Sequence, residues 1–130
     1  MHPQIKEILY CMGEEVEINC EPLDQYFTQM KSHPRFISKY ITIRRGYLGK
    51  WLILNNKLYL AELIGVLENR DEIALQDVFP GKLTVFAEWF NGEILLEKKQ
   101  LLEIKNPNRT AINEKDLHLD FIKGRLIKDL

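Results

Sequence analysis

The run Tyr47-Leu48-Gly49-Lys50-Trp51-Leu52-Ile53-Leu54, followed by Asn55-Asn56 and then Lys57-Leu58-Tyr59-Leu60, constrains the fold more than any other part of this chain. Aliphatic and aromatic residues suited to strands flank two asparagines, and asparagine tolerates the positive φ that a two-residue hairpin turn demands. The pattern predicts a hairpin with arms Tyr47 to Leu54 and Lys57 to Leu67. Both arms carry apolar residues at odd and even positions, so both faces are expected to be covered, as at the centre of a sandwich or barrel. A strand over Lys39 to Arg44, interrupted by Gly46, leads into it.

The flanking segments repeat the theme. Ile5 to Tyr10 and Glu15 to Cys20 read as an N-terminal hairpin around Met12-Gly13-Glu14, with Val16 and Ile18 alternating with Glu15, Glu17 and Asn19. Leu23, Tyr26, Phe27 and Met30 share a helical face, Pro22 suits a first turn and His33-Pro34 is a stop, which predicts one short helix near residues 22–31. Ala74 to Phe79 reads as a helical turn closed by Pro80-Gly81. Leu83 to Phe90, Gly92 to Glu97 and Gln100 to Lys105 read as a meander turning at Asn91-Gly92. Leu117, Leu119 and Phe121 alternate with Asp116, His118 and Asp120 before Lys123-Gly124 turns the chain into Arg125 to Lys128. About nine or ten short strands with one short helix predict a mostly β fold, an antiparallel β-sandwich or partly open barrel. With 130 residues and no linker, repeat or low-complexity stretch, residues 1–130 are expected to form a single domain.

The compartment follows from what is missing. The most hydrophobic stretch, Trp51 to Leu67, is broken by Asn55, Asn56, Lys57 and Glu62, so no membrane span is expected. The start of the chain lacks the pattern of a secretory signal, which makes the cytoplasm the expected location. Cys11 and Cys20 could meet only across a hairpin of offset register, and two free thiols are the expected state.

Charge is segregated along the sequence. From Met1 to Asp24, Lys6 is outnumbered by Glu7, Glu14, Glu15, Glu17, Glu21 and Asp24; from Gln25 to Ala61 the charged residues are basic, with no acid at all; from Glu62 to Glu97 acids dominate again. Such blocks either pair with each other across a sheet or form patches that steer a charged partner. The acids Glu68, Asp71, Glu72, Asp77, Glu88 and Glu93 are candidates for meeting a cationic protein. The basic, aromatic segment 31–57 gives the alternative, a single-stranded nucleic-acid-binding module using Arg44, Arg45 and Lys50 beside Phe36, Tyr40, Tyr47 and Trp51. A pI near 6.3 argues against it.

No catalytic, metal or cofactor signature stands out. There is no phosphate-binding glycine loop, His-Glu-x-x-His helix or nucleophile elbow. His118 between Asp116 and Asp120 could be a ligand set or an activated base, but alternating polar residues are also what any wet strand face presents. The chain is therefore read as a non-enzyme with no cofactor and no evident small-molecule ligand.

Thr42-Ile43-Arg44-Arg45-Gly46-Tyr47, Trp51, Lys57-Leu58-Tyr59-Leu60, Phe79-Pro80-Gly81, Val85-Phe86-Ala87-Glu88-Trp89-Phe90-Asn91-Gly92 and Glu114-Lys115-Asp116-Leu117 together resemble a group of small bacterial β-rich proteins without a settled activity. The likeness covers residues 40–121 in patches, mostly core and turn positions. Small acidic β-domains of this kind also resemble immunity proteins. That implies a cytoplasmic inhibitor that neutralises a cognate bacterial toxin by direct binding, its partner a toxin domain such as a cationic nuclease. Direct binding of nucleic acid ranks below that.

Overall fold

In the computed structural model, which describes residues 5–11, 14–30, 36, 46–69, 71–96 and 118–127, the chain runs β1 (Glu7–Cys11), β2 (Glu14–Ile18), α1 (Leu23–Gln29), β3 (Tyr47–Leu54), β4 (Lys57–Val66), β5 (Glu72–Ala74), α2 (Leu75–Val78), β6 (Val85–Phe86), β7 (Gly92–Leu95), β8 (His118–Ile122) and β9 (Arg125–Leu126). The strands form one sheet in the order β2-β1-β3-β4-β9-β8-β7. A bridge between Ile18 and Leu96 brings the end of β7 back to β2 and nearly closes the sheet into a barrel. The fold is thus mostly β, as expected, with α1 at the predicted place. The strand expected over Lys39 to Arg44, the one expected over Gln100 to Lys105 and Asp116-Leu117 lie outside the described residues.

Two hairpin turns follow directly from turn chemistry. Asn55 and Asn56 take φ of 52° and 61° between β3 and β4, and Lys123 and Gly124 take 49° and 76° between β8 and β9. Positive φ at both central positions is the turn that matches the right-handed twist of paired strands. The first hairpin pairs Glu7 with Ile18 through Cys11 with Glu14.

The β3–β4 hairpin explains why its sequence fails to alternate. Lys50 pairs with Glu62 but Trp51 pairs with Leu60, so Ala61 is an extra residue, a bulge on β4. Leu58 and Leu60 point inward before it and Leu63 after it, all buried. One inward face has shifted parity, and the other face remains open to solvent at Glu62 and Ile64.

Two features depart from the antiparallel meander the sequence suggested. The sheet is mixed, because β1 and β3 run parallel, Leu9 beside Trp51; the long excursion through β2 and α1 supplies the crossover that parallel neighbours need. The segments Leu83 to Phe90 and Gly92 to Glu97 do not pair with each other: β6 pairs with β4, and β7 with β8. Asn91-Gly92 is therefore not a hairpin turn. The cause is burial of the intervening residues. Ala87, Trp89 and Phe90 plunge into the core, held by two tight turns, Glu88 N–H to Phe86 C=O at 2.9 Å and Phe90 N–H to Ala87 C=O at 3.0 Å.

Helix α1 closes over this plug. Its Leu23 and Phe27 are buried, the Trp89 indole N–H donates to the Pro22 carbonyl at 2.9 Å, and the Tyr47 hydroxyl donates to the Asp24 carboxylate. The Gln25 amide clasps Asn91, donating to its carbonyl at 2.8 Å and accepting its N–H at 3.0 Å. Tyr26, Phe27, Phe36, Tyr47, Phe79 and Trp89 form a continuous chain of ring contacts, geometry that adds to simple area burial. No helix among the described residues is long and apolar enough to cross a membrane.

Candidate functional site

The six acidic candidates are all exposed but fall in three places. Glu68, Asp71, Glu72 and Asp77 occupy the β4–β5 turn, β5 and α2. The turn is built by its own polar groups: Leu67 N–H donates to the Asp71 carbonyl at 2.9 Å, the Asn69 side chain donates to Asp71 at 3.0 Å and accepts its N–H at 2.9 Å. Asp77 accepts the Ala74 N–H at 2.8 Å and so caps the start of α2. Glu88 stands apart, after β6. Glu93 lies on β7, its carboxylate 3.3 Å from His118 Nδ1 across the β7–β8 pair.

Beside the first group is an exposed apolar spot that the sequence did not single out. Ile64 is 52% exposed and pairs with exposed Ala74 on β5, while Val66 pairs with Glu72. Because cross-strand partners share a face, Glu62, Ile64, Glu72 and Ala74 form one outward patch, with Asp77 fixed at its border. No sequence signal marked it, because Glu62 and Ile64 fall on the outward face only once the bulge at Ala61 is known.

Of the alternative basic residues, Arg44 and Arg45 lie outside the described residues. Lys50 is engaged with Glu62 at 3.4 Å; that carboxylate is the main cause of a Lys50 pKa above the usual lysine range. Nearby, the hydrogen bond to Glu15 is the main cause of a raised Tyr10 pKa. The outward row Glu15, Tyr10, Leu52, Tyr59, Phe86, read across β2, β1, β3, β4 and β6 by their pairing, thus begins at a carboxylate.

Its other end is cationic. Lys57 on β4 pairs with Arg125 on β9, and both approach the Phe86 ring, at 5.6 and 5.7 Å from its centre. Phe86 and Arg125 also line an open cleft of about 380 Å³, with Gln29, Glu88, Trp89, Asn91 and Lys123. The Asn91 side chain accepts the Lys123 N–H at 2.9 Å, tying the β8–β9 turn to the buried plug. Three separate segments build this cleft, the end of α1, the stretch 86–91 and the β8–β9 turn, so no local motif announced it.

As expected, Cys11 and Cys20 are not joined in a disulfide, and both are half-buried. Burial, more than the adjacent Glu21 and Glu7 charges, pushes the Cys20 thiol up to about 12. Among the described residues, no group of three or more His, Cys, Asp or Glu side chains could hold a metal ion. His118 has Glu93 as its acidic neighbour; Asp116 lies outside the described residues. One acid is fully internal: Glu7 is 1% exposed and accepts hydrogen bonds from the Trp51 indole N–H at 2.8 Å and from the Gly49 backbone N–H. No protein-family model, curated protein or solved structure matches this chain.

Proposed function

We propose that this chain is a non-enzymatic binding protein, an immunity protein that neutralises a cognate toxin domain by holding a cationic surface against its β4–β5 face. The observation that carries the reading is the placement of exposed Ile64 and Ala74 in register with Glu72 and beside Glu62 and Asp77. An apolar centre within a charged rim is the general anatomy of a protein interface. The rim charges would steer the encounter, and the centre would supply the slow dissociation. A toxin that acts on nucleic acid carries cationic clefts to bind phosphates, and such a cleft complements this rim.

The test uses the tagged full chain and two variants, Ile64→Arg and the triple change Asp71→Lys, Glu72→Lys, Asp77→Lys. The unmodified chain should retain one stoichiometric basic protein from its host's lysate at raised salt and relieve that protein's toxicity on co-expression. Ile64→Arg should lose both. The triple variant should chiefly slow association. Capture and rescue unchanged in Ile64→Arg would sink the reading.

A further inference from the structure

We propose that the cleft beside Phe86 binds a nucleoside monophosphate, independently of any protein partner at the β4–β5 face. Its volume of about 380 Å³ falls in the range of small-ligand sites, roughly 300–1,000 Å³. The lining divides into three chemistries that suit the three parts of such a molecule.

Lys123 and Arg125 stand on either side of Gly124 in one tight turn, and Lys57 joins them through its pairing with Arg125. Among the described residues, none of these three cations has a carboxylate at ion-pairing distance, and two of them rest on the Phe86 ring instead. A cluster of cations over an aromatic ring is arranged for a phosphate, which a guanidinium can grip through two parallel hydrogen bonds. The half-buried Phe86 ring offers an apolar wall for a base, and stacking of this kind tolerates any base; Trp89 lines the floor but is spent on Tyr26 and Phe79. The Gln29 amide, exposed at the rim, can donate to or accept from a base edge. Glu88 supplies the one carboxylate of the lining. It can accept from ribose hydroxyls, as acidic residues do in other nucleotide sites, and its charge opposes a second phosphate.

The same charge pattern limits the ligand to one nucleotide. A longer strand following the row from Phe86 through Tyr59 and Leu52 to Tyr10 would run into Glu15, with the neutralised Lys50–Glu62 pair alongside. Phosphates beyond the first would meet carboxylates.

Isothermal titration of the full chain with AMP, GMP, CMP, UMP, inorganic phosphate and an unphosphorylated single-stranded RNA octamer decides the matter. The expected result is saturable one-to-one binding of at least one nucleotide, with Kd on the order of 100 μM at low salt, and weaker binding of phosphate alone. Lys123→Gln and Arg125→Gln should each weaken it about tenfold, the worth of one charge-assisted contact, while the far-UV spectrum is unchanged. Titrated with ADP as well, the unmodified chain should prefer AMP, and Glu88→Gln should narrow that preference. Lys123 is exposed on its turn, so its variant remains informative if Arg125→Gln fails to fold. No saturable binding by any nucleotide, phosphate binding as tightly as the nucleotides, the octamer binding more tightly than all of them, or unchanged affinity in folded Lys123→Gln would each overturn the proposal.

Discussion

Replacing Gly49 by alanine probes the least expected contact in the core. A Cβ at position 49 would lie 2.9 Å from Glu7 Oε1, 3.0 Å from Trp51 Nε1 and 3.4 Å from Leu60 Cδ1. The first two atoms are the partners of one hydrogen bond, 2.8 Å long, and the glycine's own N–H donates to the same carboxylate. The methyl group therefore wedges apart a carboxylate and an indole, both essentially without solvent access. Overpacking costs about 1–3 kcal/mol, and a hydrogen bond to a charged group contributes about 1.5–3 kcal/mol, part of which is lost as the pair separates. A destabilisation of about 3 kcal/mol is expected, a fall in Tm on the order of 10 °C for a domain of this size. Thermal and urea unfolding followed by far-UV circular dichroism and tryptophan emission would measure it. Gly81→Ala is the control: its φ is +79° with nothing within 4 Å of the added Cβ, so only the left-handed backbone cost of about 1–2 kcal/mol remains. In a Glu7→Ala background the carboxylate is gone, and the penalty of Gly49→Ala should shrink by about 2 kcal/mol, a coupling that a double-mutant cycle reads directly. An equal penalty in both backgrounds, or a loss below about 0.5 kcal/mol in the single variant, would refute the steric argument.

Further expectations concern the β8–β9 turn and the thiols. Gly124→Ala requires φ of +76° and puts a Cβ 2.3 Å from the Ala87 carbonyl oxygen; backbone cannot yield as a side-chain tip does, so unfolding should show a loss of about 3 kcal/mol or more, and a Tm near that of the unmodified chain would contradict it. Cys20 should alkylate far more slowly than an unstructured thiol at pH 8.5 and reach that rate in urea, because burial holds its native pKa near 12 and the thiolate is the reactive form. The same shift gives a sign for stability: the unfolded thiol ionises first, near pH 9, so the unfolded state binds fewer protons above that pH and this contribution to stability is lost as pH rises from 9 towards 12. Cys20→Ala should make the alkaline fall in stability less steep over that window, and an unchanged slope would remove the thiol as its source.

What could be read from the sequence was what is decided locally. The two-residue turns at Asn55-Asn56 and Lys123-Gly124, the helix over Leu23–Gln29 and the helical turn at Leu75–Val78 depend on a few neighbouring side chains and the backbone angles they permit. The meander through Asn91-Gly92 was misread because Ala87 and Trp89 have strand-like spacing, yet their burial beneath α1 draws the segment out of the sheet. The bulge at Ala61 is likewise silent in the chain, since it is expressed only as a change of register against β3. Glu7 looked like one more acid in an acidic N-terminal stretch; its burial depends on the space left by Gly49, which is 42 positions away. The candidate sites needed the same long-range information, Ile64 meeting Ala74 through β5 and Phe86 meeting Lys57 and Arg125 through β4 and β9.

The charge blocks of the sequence find both of their possible outcomes on β4. At its middle, Lys50 and Glu62 neutralise each other across the β3–β4 pair. Towards its end, Ile64 and the neighbouring Glu72 present an apolar and acidic face, whereas its first residue, Lys57, belongs to the cationic cluster around Phe86. Lys57 and Ile64 are seven positions apart, so about 20 Å of strand separates the two faces, more than twice the screening length of about 8 Å at physiological ionic strength. The two ends are therefore electrostatically independent at that ionic strength. A cationic protein held at the acidic end would leave the cleft's affinity for an anion nearly unchanged, and charge reversal at Asp71, Glu72 and Asp77 should weaken the first interaction without altering the second. Measuring nucleotide affinity in that triple variant thus separates the two surfaces: a change of more than about twofold would mean that they are coupled through β4 itself, since screened charge alone could not transmit it.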